Sequence, residues 1–483
     1  MSAPATRIEL GGASARPLER RWAALAFIAI AQLMIALDAT IMSIALPTAQ
    51  RALQASDADR QWVITAYTLA FGGLLLLGGR LADQLGRKQA FLIGLGGFAL
   101  ASGLGGWAPS LVVLIVARAL QGAFAALLAP TALSLLAVTF TEPKERATAF
   151  AVFGAIAGSG AAAGMLLGGV LTQYLTWRWC LYVNVPIAVV AAAGAATLLP
   201  SRRAQTGRGV GGFDLPGAIL GTGGLVALVY ACTRAVAEGW GSPGVLWLLA
   251  ASAILLTLFV LQQLRAPQPL LPLRIVLARN RGGAYLTVVL TLAGMFGAFL
   301  FLTYYLQQVL RFTPLEAGLA FLPITIASQA GSWLLARRLM PRVQPRVLMV
   351  PGALTAAAGM SLLTQLHPSA SYLTLVLPAE VLLGLGTACV MVPAFSLGTL
   401  GVDRRDAGAA AATVNTAQQV GASVGTAVLN TIAASAAVAA QGGAALVHGY
   451  QTAAAWGTVI LLLAALLSAL LIDARPPREL ARG

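Results

Sequence analysis

The sequence predicts an all-α polytopic membrane protein of fourteen transmembrane helices, arranged as two six-helix bundles with two further helices inserted between them. Three observations carry this. Of 483 residues, 58% are hydrophobic and 10% charged, where a soluble domain has roughly 25% charged. Apolar runs of about 20 residues, long enough to cross a hydrocarbon core roughly 30 Å thick, recur along the chain. The basic residues sit in short clusters between those runs. A soluble domain with a mean hydropathy of +0.82 would precipitate, so the soluble classes are excluded. The net charge of +15 therefore marks cytoplasmic loops, not a nucleic-acid footprint.

Most span junctions carry Pro, Gly or charge. Span 1 covers 22–46, between Arg21 and Arg51, and span 2 covers 62–82, ending among Arg80, Asp83 and Arg87. Span 3 (90–107) closes before Pro109 and span 4 (110–138) before Pro143. Span 5 (147–172) follows Lys144 and Arg146, and span 6 (180–199) stops at Pro200. Spans 7 (214–232) and 8 (244–264) are bracketed by the longest linkers, 200–213 and 265–282, so this pair reads as the insertion. Spans 9 to 14 cover 283–307, 315–336, 346–365, 372–397, 407–436 and 451–472. The domains are then an N-terminal tail (1–21), a first bundle (22–199), linkers with the inserted pair (200–282), a second bundle (283–472) and a tail (473–483).

With the N-terminus inside, 25 of the 31 Lys and Arg residues fall in inner segments. Five (Arg51, Arg60, Arg178, Arg234 and Arg311) fall in outer loops, and Arg118 lies within a span. This bias predicts both termini in the cytoplasm. It also supports the even count, because a missed span would scramble the alternation after it. The first 21 residues are polar and the run after them is too long for an h-region, so no signal peptide is expected. A faint repeat relates Gly79–Lys88 to Arg337–Arg346 at an offset of 258, consistent with the related halves of many secondary transporters.

An ionisable side chain inside a membrane costs roughly 2.5–3.5 kcal/mol or more, so it is a functional candidate by default. Asp38, Arg118 and Glu380 qualify. At about 1.5 Å per residue, each lies roughly 12 Å from the outer end of its span, which suggests one shared polar cavity. The offset of 258 sets position 376, one turn from Glu380, against Arg118. The cation of one half is therefore expected to face an anion of the other. Burial favours the neutral form of a carboxyl and a guanidinium favours its charged form. A carboxyl held between these effects can take and release a proton as the cavity changes sides. Two plainer readings stand beside this: a static Asp38–Arg118 pair that locks two helices, and a Glu380 hydrogen-bonded in its neutral form.

Further candidates are structural or functional by turns. In the loop after span 2, Gly79 and Gly86 allow a tight turn and close helix approach. Asp83, set among Arg87 and Lys88, can exchange ion partners as a cytoplasmic gate, or the bases can be ordinary positive-inside charge. Span 5 carries Gly154, Gly158, Gly164, Gly168 and Gly169, whose spacing gives a close-packing face and also suits a sliding contact between bundles. In span 13, Gly421 and Gly425 repeat the pattern, and Asn415, Gln418 and Gln419 either line a cavity or bridge helices. Trp62, Tyr67, Phe301, Tyr304 and Tyr305 are interfacial anchors or ligand-stacking rings. Cys180, Cys232 and Cys389 lie far apart in apolar segments and read as buried hydrophobes. His367 and His448 are placed in loops, and no metal site is expected from them.

These residues together resemble a known family. Leu37–Ile41 with Ala45-Leu46-Pro47 and the Gly79–Lys88 loop resemble the major facilitator superfamily, and more specifically its 14-helix drug:proton antiporters, the EmrB/QacA-like group. Arg118-Ala-Leu-Gln-Gly122 is similar to that group's motif on helix 4, whose arginine is associated with proton coupling. Trp177–Pro186, Tyr305-Leu-Gln with Pro314–Gly318, and Asn415–Gly421 resemble later segments of the group in the right order. One position departs: the family's helix 5 motif has Gly-Pro before its paired glycines, where this chain has Gly164-Met165. The resemblance implies a major facilitator fold. It makes Asp38 and Arg118 coupling or cavity residues, and Asp83, Arg87 and Lys88 a gate.

The expectation is a secondary exporter that exchanges a lipophilic, cationic drug or antibiotic for protons. It is not an enzyme and has no cofactor; the proton gradient supplies the energy. Its partners are the small-molecule substrate, protons and the lipid bilayer of a bacterial cell membrane, with no nucleic acid, and the functional unit is a monomer. A narrow exporter of one natural product, and an importer or facilitator (kept open by Met165), are the alternatives. A lipid-modifying membrane enzyme would need a catalytic cluster in a sizeable loop, and none is present in the sequence.

Overall fold

The computed structural model describes residues 18–473 except 57–58, 141, 200–213, 268, 272, 336–338, 340–341, 400–406 and 440–444. The chain is helical: α1 (Leu18–Ala52), α2 (Trp62–Leu85), α3 (Arg87–Trp107), α4 (Leu111–Thr139), α5 (Pro143–Tyr174), α6 (Trp179–Tyr182), α7 (Asn184–Leu198), α8 (Leu215–Glu238) and α9 (Pro243–Arg265). It continues through α10 (Leu273–Val276), α11 (Arg279–Tyr304), α12 (Pro314–Ala320), α13 (Leu322–Leu334), α14 (Pro345–Leu362), α15 (Leu377–Thr399), α16 (Ala407–Ala439) and α17 (Ala445–Leu471). Joining the short pieces to the rods they continue gives the fourteen passages expected. Among the described residues, eleven helices are long and apolar enough to cross a membrane.

The differences from expectation have local causes. Span 10 breaks at Phe321, where Pro323 opens α13 and withholds an N–H, so α12 and α13 are separate. Spans 9 and 12 carry π-helical turns, at Tyr305–Val309 and Tyr372–Val376. The loop expected after span 2 shrinks to Gly86, whose φ of 87° lets α2 run to Leu85 and α3 begin at Arg87. His448 is not in a loop but in the first turn of α17, which starts six residues earlier than predicted.

Lipid is as apolar as leucine, so close packing and hydrogen bonds must hold these helices together. The packing follows that rule. α1 packs on α5 and α7, and α2 on α4, which also packs on α3. In the second part, α11 packs on α16 and α17, and α14 on α15 and α17. α8 pairs with α9 and lies across α2 and α16, where Leu69, Val229, Cys232 and Ala427 form a small core. Thr431 donates to the Cys232 carbonyl at 2.9 Å, which ties α16 to α8.

The base of the α8–α9 hairpin is held by Asp214. Its carboxylate accepts from the Gly217 N–H (2.9 Å), Gln262 (3.0 Å) and Gln263 (2.6 Å). Burial alone would raise this carboxyl, but the hydrogen bonds outweigh it and hold the group below the usual carboxylate range.

The apolar core is divided unequally along the bundle. At the end away from the chain termini, one continuous cluster joins Leu37, Ile41 and Met42 of α1 to Tyr304, Phe321, Ala357 and Leu429 of the second half. Towards the terminal end there are two clusters. One lies within α1–α7 around Phe91, Phe98 and Leu128, and the other within α11–α17 around Tyr285, Met349 and Val390.

Candidate functional site

A polar cluster is buried in the first half, against α1. Asp38 is 0% exposed and Arg118 of α4 is 1% exposed. Arg118 Nη1 donates to Asp38 Oδ2 at 2.6 Å and to Gln121 Oε1 at 3.0 Å. Its Nε donates to the Val63 carbonyl of α2 at 3.0 Å. Asp38 Oδ1 accepts from Gln121 Nε2 (3.1 Å) and from Asn184 Nδ2 at the start of α7 (2.7 Å). Gln121 also donates to Ser102 of α3 at 2.7 Å. The guanidinium lies 4.4 Å from the centre of the Tyr67 ring. One ion pair thus ties α1, α2, α3, α4 and α7 together.

Every contact to Asp38 is an N–H donor, which is the arrangement of an ionised carboxylate. Such a pair is stable only because its lone pairs are filled. Tyr67 Oη and Asn184 Oδ1, on side chains that touch this pair, are buried with no protein hydrogen-bond partner.

The predicted meeting of Arg118 with an anion of the other half does not occur. Arg118 is satisfied within its own half at short range. Glu380, in the first turn of α15, is 0% exposed and touches Tyr372 instead. The three charges therefore occupy two sites.

The glycines of α5 separate into two faces. A Cβ at Gly164 would meet Thr40 and stand 2.6 Å from the Leu37 carbonyl oxygen, and one at Gly168 would stand 2.8 Å from that of Ile41. These two, with Gly160 against Ala36, press α5 onto α1 beside Asp38. Gly169 points the other way, where a Cβ would stand 2.7 Å from the Pro314 carbonyl oxygen of α12. Gly318 of α12 is equally close to the Met165 carbonyl. The position where the family pattern has proline is thus part of the seam between the halves, and α5 runs through it unbroken. The surroundings of Gly154 and Gly158 lie outside the described residues.

The other candidates are dispersed. Gln419 packs beneath Gly72 of α2, where Thr416 Oγ1 also donates to the Gly72 carbonyl at 3.4 Å. Gln418 turns to Met391 of α15, and Asn415 is half-buried. Gly421 and Gly425 press on Val289 and Ala293 of α11, an interface inside the second half rather than a sliding one. Tyr305 is buried and donates to the His367 carbonyl at 2.7 Å.

In the expected gate, Lys88 donates to the carbonyls of Ala196 and Leu199 (3.1 Å to the latter), capping the C-terminus of α7 where a cation is favoured. Arg87 is half-buried. Gly79 has ordinary room beside Pro130; the tight approach of α2 to α4 is at Gly78, against Ala126. The side chains of Arg80 and Asp83 lie outside the described residues. All three cysteines are free thiols, with Cys180 and Cys232 buried.

Sequence reasoning named Tyr304 and Arg60 singly and missed the contacts by which they close the far end. Tyr304 donates to Gln50 of α1, and Arg60, 4% exposed, stacks 3.8 Å from its ring centre. Gln307 donates to the Ile44 carbonyl at 2.9 Å, and the Leu315 N–H to Gln173 at 3.2 Å. Arg60 was readable only as an outer-loop charge, because nothing in the sequence sets it against Tyr304.

A family model described as Major Facilitator Superfamily matches residues 28–426. The chain belongs to the Major Facilitator Superfamily. Among the relatives of this facilitator, the puromycin resistance protein pur8 of Streptomyces alboniger is 53% identical over 470 residues, covering 95% of this chain and 93% of that one. The cephamycin export protein CmcT of Amycolatopsis lactamdurans is 39% identical over 413 residues, 85% of each chain. The multidrug efflux pump LfrA of Mycolicibacterium smegmatis is 32% identical over 427 residues, covering 88% of this facilitator and 84% of the pump.

Proposed function

We propose that this facilitator exports lipophilic, cationic antibiotics or drugs in exchange for protons, by alternating access across a bacterial cell membrane. The observation that carries the reading is the unequal core: one apolar cluster joins the halves at the far end, and two separate clusters replace it towards the termini. A transporter held shut at one end and divided at the other has the form of one state of a two-state carrier, whose equilibrium each ligand biases. With both termini cytoplasmic, as the distribution of Lys and Arg favours, this state is closed outward. The Asp38–Arg118 pair supplies the charge that a proton can neutralise as the halves rock. The functional unit is a monomer of two bundles with an inserted helix pair, driven by the proton gradient without a cofactor.

The test is transport in proteoliposomes under an imposed pH gradient, with puromycin and ethidium as probes. Gradient-dependent movement of either, abolished by Asp38→Asn, is expected. Movement that ignores the gradient would replace exchange with facilitated diffusion.

A narrow exporter of a single antibiotic is the second reading. The relative named for resistance to one compound is 53% identical, whereas the one named as a multidrug pump is 32% identical. Puromycin transport without ethidium transport would select it.

A further inference from the structure

The Tyr372 hydroxyl donates to the Ala320 carbonyl at 2.7 Å. Glu380 Oε2 lies 3.2 Å from the same phenol oxygen. A phenol has one hydrogen, and a carbonyl oxygen can only accept. With that hydrogen on Ala320, a hydrogen between Tyr372 and Glu380 must come from the carboxyl. Glu380 Oε1 is buried with no partner, where a negative charge would be left uncompensated. Asp38 presents the opposite pattern, accepting from three N–H donors. In this conformation the first-half carboxyl is charged and the second-half carboxyl holds a proton.

The neighbours of Glu380 leave Tyr372 as its ionisable contact. Of the elements packed on α15, α13 and α16 carry no ionisable side chain. α14 carries Arg346 in its first turn, at the far end from Glu380. α11 carries Arg279, Arg281 and Tyr285 near its start and Tyr304 at its end, where Tyr304 is turned to Gln50 and Arg60. On α15 itself, Cys389 packs against Gly352.

Ala320 is the last residue of α12, and α12 is the element that Gly169 and Met165 of α5 press against. We propose that Tyr372 is a positioning residue that reports the protonation of Glu380 to the seam between α12 and α5. Loss of the proton leaves a carboxylate that draws the phenol hydrogen away from Ala320. The carbonyl at the α12–α13 break then loses its donor, and α12 is released from α5. Reprotonation returns the hydrogen and closes the seam. The proposal deepens the proton-coupled reading above and rests on it, and it does not depend on which drug is carried.

The test measures the seam itself. Spin labels replace Tyr174 on α5 and Leu319 on α12, both exposed, in a background whose three cysteines are changed to alanine. The label separation is recorded against pH in nanodiscs, with no substrate. The expected result is a separation that grows as pH rises in the otherwise unmodified protein. Glu380→Gln should hold it at the low-pH value throughout, and Tyr372→Phe should remove the pH response. A response of unmodified size in both variants would overturn the proposal, as would a separation that does not move with pH in the parent. If Tyr372→Phe does not accumulate, Glu380→Gln decides alone. Proton-driven transport is measured on the same parent preparation. Its absence would remove the underlying reading, whereas its presence with unaltered variants removes only the coupling of Glu380 and Tyr372 to the seam.

Discussion

Removing either member of the Asp38–Arg118 pair should be far worse than removing both. In Arg118→Met the Asp38 carboxylate keeps two amide donors, Gln121 and Asn184, but loses its only cation. In Asp38→Leu the guanidinium keeps Gln121 and the Val63 carbonyl but has no counter-charge. Each leaves an uncompensated buried charge, a loss of about 3–5 kcal/mol. The double variant buries no charge. Its main residual cost is the orphaned Asn184 amide, about 1–3 kcal/mol. The singles therefore sum to about 6–10 kcal/mol while the double loses far less, so the coupling is at least about 3 kcal/mol. The assay is a double-mutant cycle on reversible unfolding by SDS in mixed micelles. Additivity within about 0.5 kcal/mol would mean that the two side chains do not meet, and would refute the site as described. All three variants should lose gradient-driven transport, because the double restores packing and not charge.

Other consequences are independent of this pair. Gly164→Ala should force α5 off α1, because the new Cβ meets the Leu37 carbonyl and Thr40. The expected loss is about 1–3 kcal/mol, read as a lower Tm, together with weaker transport through displacement of Asp38. Gly169→Ala acts on the seam instead, against Pro314 and Leu315. It should favour the conformer opened at the far end, seen as increased labelling of a cysteine introduced at Gln307. Asp214→Ala removes a helix cap and two amide partners at the base of the hairpin, and should lower stability by about 0.5–2 kcal/mol for the cap alone. The Asp214 carboxyl is held below its usual range, so its contribution is complete above an unfolded value of about 3.9 and fades as pH falls through the lower folded one. A Tm profile of the parent should therefore drop more steeply below that pH than the profile of Asp214→Asn.

Much of the site was legible because membranes penalise polarity. Asp38, Arg118 and Glu380 stand out from apolar runs, and all three are fully or almost fully buried. Their grouping was not legible. Depth along a span is a one-dimensional quantity, and it put three charges at one level without saying which helices face each other. Gln121 was within reach, one turn after Arg118, but nothing in the sequence shows that its amide bridges Asp38 and Ser102. The loop expected after span 2 is replaced by a single residue for a different reason. Charge density reads as loop, whereas one residue with positive φ, Gly86, is enough to join two helices.

The order of residues is enough to establish a bundle of fourteen helical passages, because the hydrocarbon core accepts little except apolar helices of fixed minimum length. It also determined which charges needed an explanation, since each is too costly to keep without a partner. The tertiary structure alone decided the partners. Arg118 is paired inside the first half, and Glu380 faces a phenol that donates to a carbonyl at the α12–α13 break. It alone divided the α5 glycines between α1 and α12. Hydrogen bonds and glycine contacts act over a few ångströms between residues as far apart in sequence as Asp38 and Asn184. No periodicity or offset in the chain encodes that proximity.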